Sequence, residues 1–395
     1  MKQLFIITAM MMQFIAEAME TRLMVNGVLY ECMGDGQVQC RVTDSSPLRP
    51  TLRSTVEIAG NRFDIVSFVN ASIFTKKILI PSNMRVMCGN CSSGGKSLCA
   101  ITFESGSKLR QIGRAAFFSS NLKLIYIPSN VEIIGDRCFS GCLNLHKVIF
   151  DPVSQLKHIG NSAFCGTRLK LIRIPPTVES IGNSCFFVCK ELDEVVFESG
   201  SSLRQVGQEV FFGSGLKRIC ILANLKTLES GLFYNCKSLR EVVFEENSSL
   251  ERIKNTVFWK SNLRSLRIPS SVMIMKAFCF FNCPRLYEIE FESGSKLKLI
   301  GNAAFSKSSL RSIRIPSSVE IIGKGCFFEC TRLRKITIES LSSLREIGIC
   351  AFENSGMNVI CVPENARHVC YLKRVLPELL PEECVIEWMT VEGTS

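Results

Sequence analysis

The sequence predicts an α/β repeat protein, a right-handed solenoid with a long parallel β-sheet on one face and a cap at each end. Three observations predict it. The dipeptide Ile-Pro recurs every 47 residues, at Ile80, Ile127, Ile174, Ile268 and Ile315, with Ile221 and Val362 in register as degenerate copies. A second marker, Phe103, Phe150, Phe197, Phe244, Phe291 and Ile338, keeps that interval and divides each unit into halves of 23 and 24 residues. The halves carry an L-x-x-I-x-I core such as Leu122, Ile125 and Ile127. Self-similarity at roughly 20–29 residues with that core is the signature of a leucine-rich-repeat solenoid. Such a fold offers a long surface and no enclosed pocket. Binding is therefore its default function, and no small-molecule substrate is expected.

The elements follow in order. Residues 1–18 have the layout of a signal peptide: Lys2 supplies a positive charge, Leu4 to Ile15 an apolar core, and Ala16 and Ala18 the small residues before a cut. Gln13 interrupts that core, and Met19 is an alternative start. Residues 19–75 read as an N-terminal cap. In it Cys32 and Cys40 flank Met33-Gly34-Asp35-Gly36-Gln37. This predicts a β-hairpin with the two sulfurs across from each other, and a disulfide if the chain is secreted. The leucine-rich-repeat solenoid spans 76–362, and 363–395 caps it. There Val369, Leu372, Val375 and Leu376 have helical spacing ahead of Pro377, and Val385-Ile386-Glu387-Trp388 reads as a closing strand. No later segment reaches the roughly 18 uninterrupted apolar residues of a membrane span, so none is expected.

One half-unit, 122–145, shows the logic. Leu122, Ile125 and Ile127 point inward from a short strand, which Pro128 ends because it cannot donate to a ladder. Gly135 then marks a turn before a short helical or irregular segment containing Cys138, Phe139 and Cys142. Each coil buries its apolar edge only against neighbours, so one unit cannot fold alone. Stacked, the inward positions become columns. Phe117, Phe139, Phe164, Phe186, Phe211, Phe233, Phe258, Phe280, Phe305, Phe327 and Phe352 form one such ladder. The Gly135 column is interrupted by Glu229, Lys254 and Lys276, so its turn cannot strictly require a left-handed backbone.

The string I-P-x-x-V-x-x-I-G-x-x-C/A-F-x-x-C-x-x-L closely resembles the BspA-like, or Treponema pallidum-type, leucine-rich repeats. The resemblance covers roughly 76–362, and Val25 to Tyr30 is similar to that family's usual lead-in. It implies a secreted or cell-surface protein that adheres to, or binds, host and matrix proteins. It implies no catalytic residues.

Residue chemistry agrees with that expectation. The CFxxC pairs Cys138/Cys142, Cys185/Cys189, Cys279/Cys283 and Cys326/Cys330 stand two coils apart, near 10 Å, too far to complete a zinc tetrahedron. They read as small buried hydrophobes. Gly89 to Ser97 imitates a phosphate-binding loop, but Asn90 stands where that motif needs glycine. His146, His158 and His368 have no evident nucleophile or acidic partner. The recurring Glu104, Asp151, Glu198, Glu245, Glu292 and Glu339 read as a solvated acidic edge. No catalytic residue, metal site or cofactor is expected.

The net charge is +11, and because residues 363–395 carry three Lys/Arg against six Glu, residues 1–362 stand at +14. A basic balance favours anionic partners. On the sheet face, outward rows are expected at Lys123, Lys170, Lys217, Arg264 and Arg311, and beside them at Tyr126, Arg173, Cys220, Arg267 and Arg314. The first row lacks a matching acidic one, its neighbours being His146, Asp193, Arg240, Tyr287 and Arg334. These basic and aromatic positions are the candidate ligand-binding residues, for a protein or an acidic glycan. Nucleic acid is disfavoured because the aromatics serve the core and leave no stacking platform. Asn70, Asn90 and Asn247 head glycosylation sequons. Two function classes stay open: a secreted or surface recognition and adhesion module, and a cytoplasmic protein–protein interaction scaffold. Met19 as the start and reduced thiols would favour the second.

Overall fold

The computed structural model describes residues 22–25, 28–32, 38–42, 55–58, 61–68, 76–87, 89–90 and 96–390. The expected signal peptide 1–18, Asn70 and part of the Gly89 to Ser97 stretch lie outside the described residues. The chain forms two compact units, residues 1–169 and 170–395. Both are parallel β-solenoids, as the repeat predicts.

In the first unit each coil contributes a four-residue strand and a two-residue strand. Lys77–Ile80 pairs in parallel with Ala100–Phe103, and Leu124–Ile127 with Lys147–Phe150, Ile127 opposite Phe150. Burial alternates along them: Ile125 and Ile127 are inside, Leu124 and Tyr126 outside. The two-residue strands Val86–Met87, Gln111–Ile112, Ile133–Ile134 and His158–Ile159 form a second, narrow parallel sheet. Two residues are too short a run to show alternation, so sequence periodicity missed it. The N-terminal strands extend this narrow sheet. Asn61–Phe68 pairs with Val86–Met87 and with Val38–Val42, which in turn pairs antiparallel with Val28–Cys32. The expected hairpin is present, but its register sets Cys32 opposite Val38 and Cys40 opposite Tyr30. The cysteines are thus diagonal and not directly across, because five residues separate the paired Cys32 and Val38.

The second unit repeats the plan. Leu171–Ile174 pairs with Glu194–Phe197, Arg218–Ile221 with Glu241–Phe244, Ser265–Ile268 with Glu288–Phe291, and Ser312–Ile315 with Lys335–Ile338. Only the last pair continues into a third strand, Val359–Pro363, followed by the closing strand Val385–Met389. The broad sheet is therefore a series of pairs. Each Phe strand ends with a bond from the next N–H to the preceding Ile carbonyl, as Glu292 to Ile268 at 3.1 Å. On the other side the equivalent residue in most coils is proline, with no N–H to give. The cap helix Val369–Leu379 buries Leu372 and Leu376, and it runs through Pro377 where the sequence suggested a stop.

Between the narrow strand and the next broad strand, where a short helix was an option, the backbone alternates in hand. Thr256 at φ 59° and Lys260 at φ 57° flank Phe258. Their N–H groups and that of Phe258 donate to Ala277, Phe281 and Cys279 of the next coil at 2.8–3.1 Å. The intervening Trp259 and Ser261 donate back three residues, at 3.2 and 2.9 Å. A left-handed residue at every second turn prevents a helix. The bonds to the next coil offset its cost.

The columns pack as predicted. In the first unit the Phe117, Phe139 and Phe164 rings stack at 5.4 and 5.3 Å. In the second, successive rings from Phe186 to Phe352 lie 5.0–5.8 Å apart. The Gly135 column serves close approach: a Cβ there would lie 2.7 Å from the Arg114 nitrogen, and one on Gly301 2.4 Å from the Lys276 carbonyl carbon.

Candidate functional site

All nine sheet-face candidates are exposed. Lys123 and Tyr126 belong to the first unit. There the Tyr126 hydroxyl donates to Asp151, which raises the phenol's pKa and lowers that of the carboxyl. Leu124 (49% exposed) and Ile149 (36%) flank Tyr126, giving this end an apolar character.

The second unit holds the other seven, and acidic side chains answer some of them. Lys217 meets Asp193, the one acidic residue among that row's expected neighbours, at 2.8 Å. Arg267 lies 3.9 Å from its cross-strand partner Glu290 and 3.7 Å from Glu292, and Arg314 lies 3.5 Å from Glu339. Arg311 sits over the Tyr287 ring at 5.9 Å. Among the described residues, Lys170, Arg173 and Arg264 join no ion pair, and Leu171 beside Lys170 and Arg173 is exposed. Sequence reasoning missed one outward row, Leu124, Leu171, Arg218, Ser265 and Ser312. The signal was strand alternation counted back from the buried Ile125, which puts Leu124 outside. Arg218 in this row pairs with Glu241 at 3.2 Å.

The gaps between strand pairs open as grooves. One of about 470 Å³ runs between Glu194–Phe197 and Arg218–Ile221, lined by Asp193, Lys217, Cys220 and Glu245 among others. Another of about 580 Å³ lies between Glu241–Phe244 and Ser265–Ile268, with Arg240, Arg267, Glu246 and Glu292 on its walls. Both are mixed in charge and sized for side chains of a larger ligand. The sequon residues Asn90 and Asn247 are exposed, and Asn247 lies on the rim of the second groove.

Three chemical readings are sharpened. The acidic row is not merely solvated: Glu104, Glu245, Glu292 and Glu339 accept the N–H of Ser82, Ala223, Ser270 and Ser317 at 2.8–3.0 Å, capping the turn after each Ile-Pro position. The cysteines are more than hydrophobic filler. Cys142, Cys236, Cys283 and Cys330 donate to the carbonyls of Phe117, Phe211, Phe258 and Phe305 at 2.9–3.0 Å, and each meets a serine hydroxyl at 3.2–3.5 Å. Burial raises all four thiols. Among the described residues no group of His, Cys, Asp and Glu is placed to hold a metal ion. Finally, not all aromatics serve the core. Phe187, Phe212, Tyr234, Trp259 and Phe281 form a half-exposed file with centroids 4.5–5.6 Å apart. Their faces rest mainly on one another, which leaves little room for a stacked base.

A profile for the BspA type leucine rich repeat region, described as six copies, matches residues 64–191, 157–287 and 251–371. The chain belongs to the BspA-type leucine-rich-repeat family. A BspA-type chain of this kind shares its fold with a leucine-rich repeat protein from Bacteroides ovatus, at 23% identity over 93% of this chain and 99% of that one, TM-score 0.60. The pneumococcal vaccine antigen PcpA aligns at 19% identity over 94% of this chain and 99% of that one, TM-score 0.50. No curated protein matches. No helix among the described residues is long and apolar enough to cross a membrane.

Proposed function

We propose that this protein is a non-enzymatic recognition and adhesion module, secreted or displayed at the cell surface. It binds a macromolecular ligand, a protein or an acidic glycan, along its outward sheet face. The observation that carries the reading is the set of cations that join no ion pair among the described residues: Lys170 and Arg173 beside exposed Leu171, and Arg264 next to the second groove on the same face. Cations that join no ion pair among the described residues are available to an anionic partner, whereas Lys217, Arg218 and Arg267 already hold carboxylates. Membership of the BspA-type family and the fold shared with a bacterial antigen support export.

A cytoplasmic interaction scaffold is the second reading. It is favoured by the free thiols Cys142, Cys236, Cys283 and Cys330 in both units, and by exposed Cys220 and Cys350.

The test is capture of the full chain on immobilised matrix proteins and on heparin, compared with a Lys170→Glu, Arg173→Glu, Arg264→Glu variant. Loss of capture with an unchanged thermal midpoint supports the sheet face. Undiminished capture by the variant overturns it. Thiol counting on protein recovered from its native source separates the readings: oxidised Cys220 and Cys350 support export, and fully reduced protein supports the scaffold.

A further inference from the structure

The flank bearing the two-residue strands carries charges that mostly alternate in sign from coil to coil. In the second unit the result is a ladder: Lys226–Glu251 at 3.8 Å, Lys298–Glu320 at 3.4 Å and Arg345–Glu320 at 3.3 Å. The alternation fails in the first coils of the first unit. There Arg85 is followed by Arg110 in the next coil, with Lys108 two residues before it. The backbone holds this arrangement: Arg110 N–H donates to the Arg85 carbonyl at 2.8 Å, and Lys108 N–H to that of Ser82 at 2.7 Å. Arg85, Lys108, Arg110 and Asn130 line a cavity of about 320 Å³. The Asn130 amide is anchored by donating to the Ser107 carbonyl at 2.7 Å. Arg110 approaches Glu132 only at 4.0 Å, and Arg85 and Lys108 join no ion pair among the described residues.

Adjacent coils of a parallel sheet stand about 4.8 Å apart. Three cations on two adjacent coils therefore repel at short range; Glu132 offsets Arg110 in part, and counter-ions or a bound anion relieve the rest. Guanidinium groups bind tetrahedral oxyanions through paired N–H donors, and an ammonium adds a point charge. The cavity is several times the ~30 Å³ share of a water molecule.

We propose that this cavity is an oxyanion site, taking a sulfate ester or phosphate monoester group between Arg85 and Arg110 with Lys108 closing over it. The site lies in the first unit, on the flank of the narrow sheet, and does not depend on the sheet-face reading.

The experiment is calorimetric titration of the full chain at low ionic strength with inorganic sulfate and inorganic phosphate, then with a sulfated disaccharide and a phosphorylated monosaccharide. The wild type should bind saturably, one anion per chain. An Arg85→Gln, Arg110→Gln variant should bind about tenfold or more weakly, since two charge-assisted contacts are removed. Arg85→Lys with Arg110→Lys should fall between, because charge is kept and the paired donors are lost. A Lys226→Gln, Lys298→Gln variant, in the paired ladder of the second unit, should match the wild type. Preference for the sulfated or the phosphorylated sugar then identifies the source of the anion. Absence of saturable binding to either ion, or equal weakening by the Lys226→Gln, Lys298→Gln variant, overturns the proposal.

Discussion

Raising the pH from 8 to 10 should destabilise the second unit through thiols that the fold holds protonated. Cys236, Cys283 and Cys330 are pushed from an ordinary value near 9 up to about 12, 12 and 11, because burial penalises the thiolate more than the adjacent serine and backbone contacts favour it. In the unfolded chain the same protons leave as the pH passes about 9. The unfolded state then binds fewer protons than the native one, so stability falls as pH rises between about 9 and the native values of 11–12. Going from pH 8 to pH 10 changes the unfolded thiol's ionisation ratio enough to cost about 1.3 kcal/mol per group, or about 4 kcal/mol for the three. Both tryptophans, Trp259 and Trp388, lie in this unit, so fluorescence during urea unfolding reports it alone. The comparison is a Cys236→Ser, Cys283→Ser, Cys330→Ser variant in reductant at both pH values. Serine already occupies the same column at Ser214, Ser261 and Ser308. The variant should lose about 4 kcal/mol less than the wild type over this range. Coincident pH dependences would refute the assignment of these thiols as buried hydrogen-bond donors.

Two further predictions concern the packing. Phe305→Ala removes a fully buried ring stacked 5.3 Å from Phe280 and 5.5 Å from Phe327, and should lower the unit's stability by about 3–5 kcal/mol in the same urea assay. A loss under about 1 kcal/mol would mean that the ladder is not the core. Gly301→Ala drives a methyl to 2.4 Å from the Lys276 carbonyl carbon and should cost about 1–3 kcal/mol, whereas alanine for the exposed Gly294 meets nothing nearby and pays only for its left-handed φ of 71°. Equal thermal shifts in the two variants would rule out close approach as the reason for glycine at 301.

The repeat made the inward residues legible one by one. Leu122, Ile125, Ile127, Val131, Ile134, Cys138, Phe139, Cys142 and Leu145 are all buried, because an apolar edge recurring at a fixed interval has only the neighbouring coil to cover it. The cap helix and closing strand were likewise readable from spacing within 363–395. The narrow sheet was not, since pairs such as Ile133–Ile134 are too short to show a period. Nor was the cysteine–serine file, because Ser120 and Cys142 stand 22 residues apart and meet only when their coils stack.

The chain's order alone determined that it would wind into coils, which side chains would face inward, and that basic residues would stand in rows on the outside. Three-dimensional stacking decided which of those cations remain available. Lys217 found Asp193, and Arg314 found Glu339, while Lys170, Arg173 and Arg264 join no ion pair among the described residues, and Arg85, Lys108 and Arg110 converged on one cavity. The physical reason is that burial is dictated by a residue's own polarity and its place in the period. Charge pairing instead depends on distances of a few ångströms between coils, set by strand register and by where a missing proline N–H lets the sheet part.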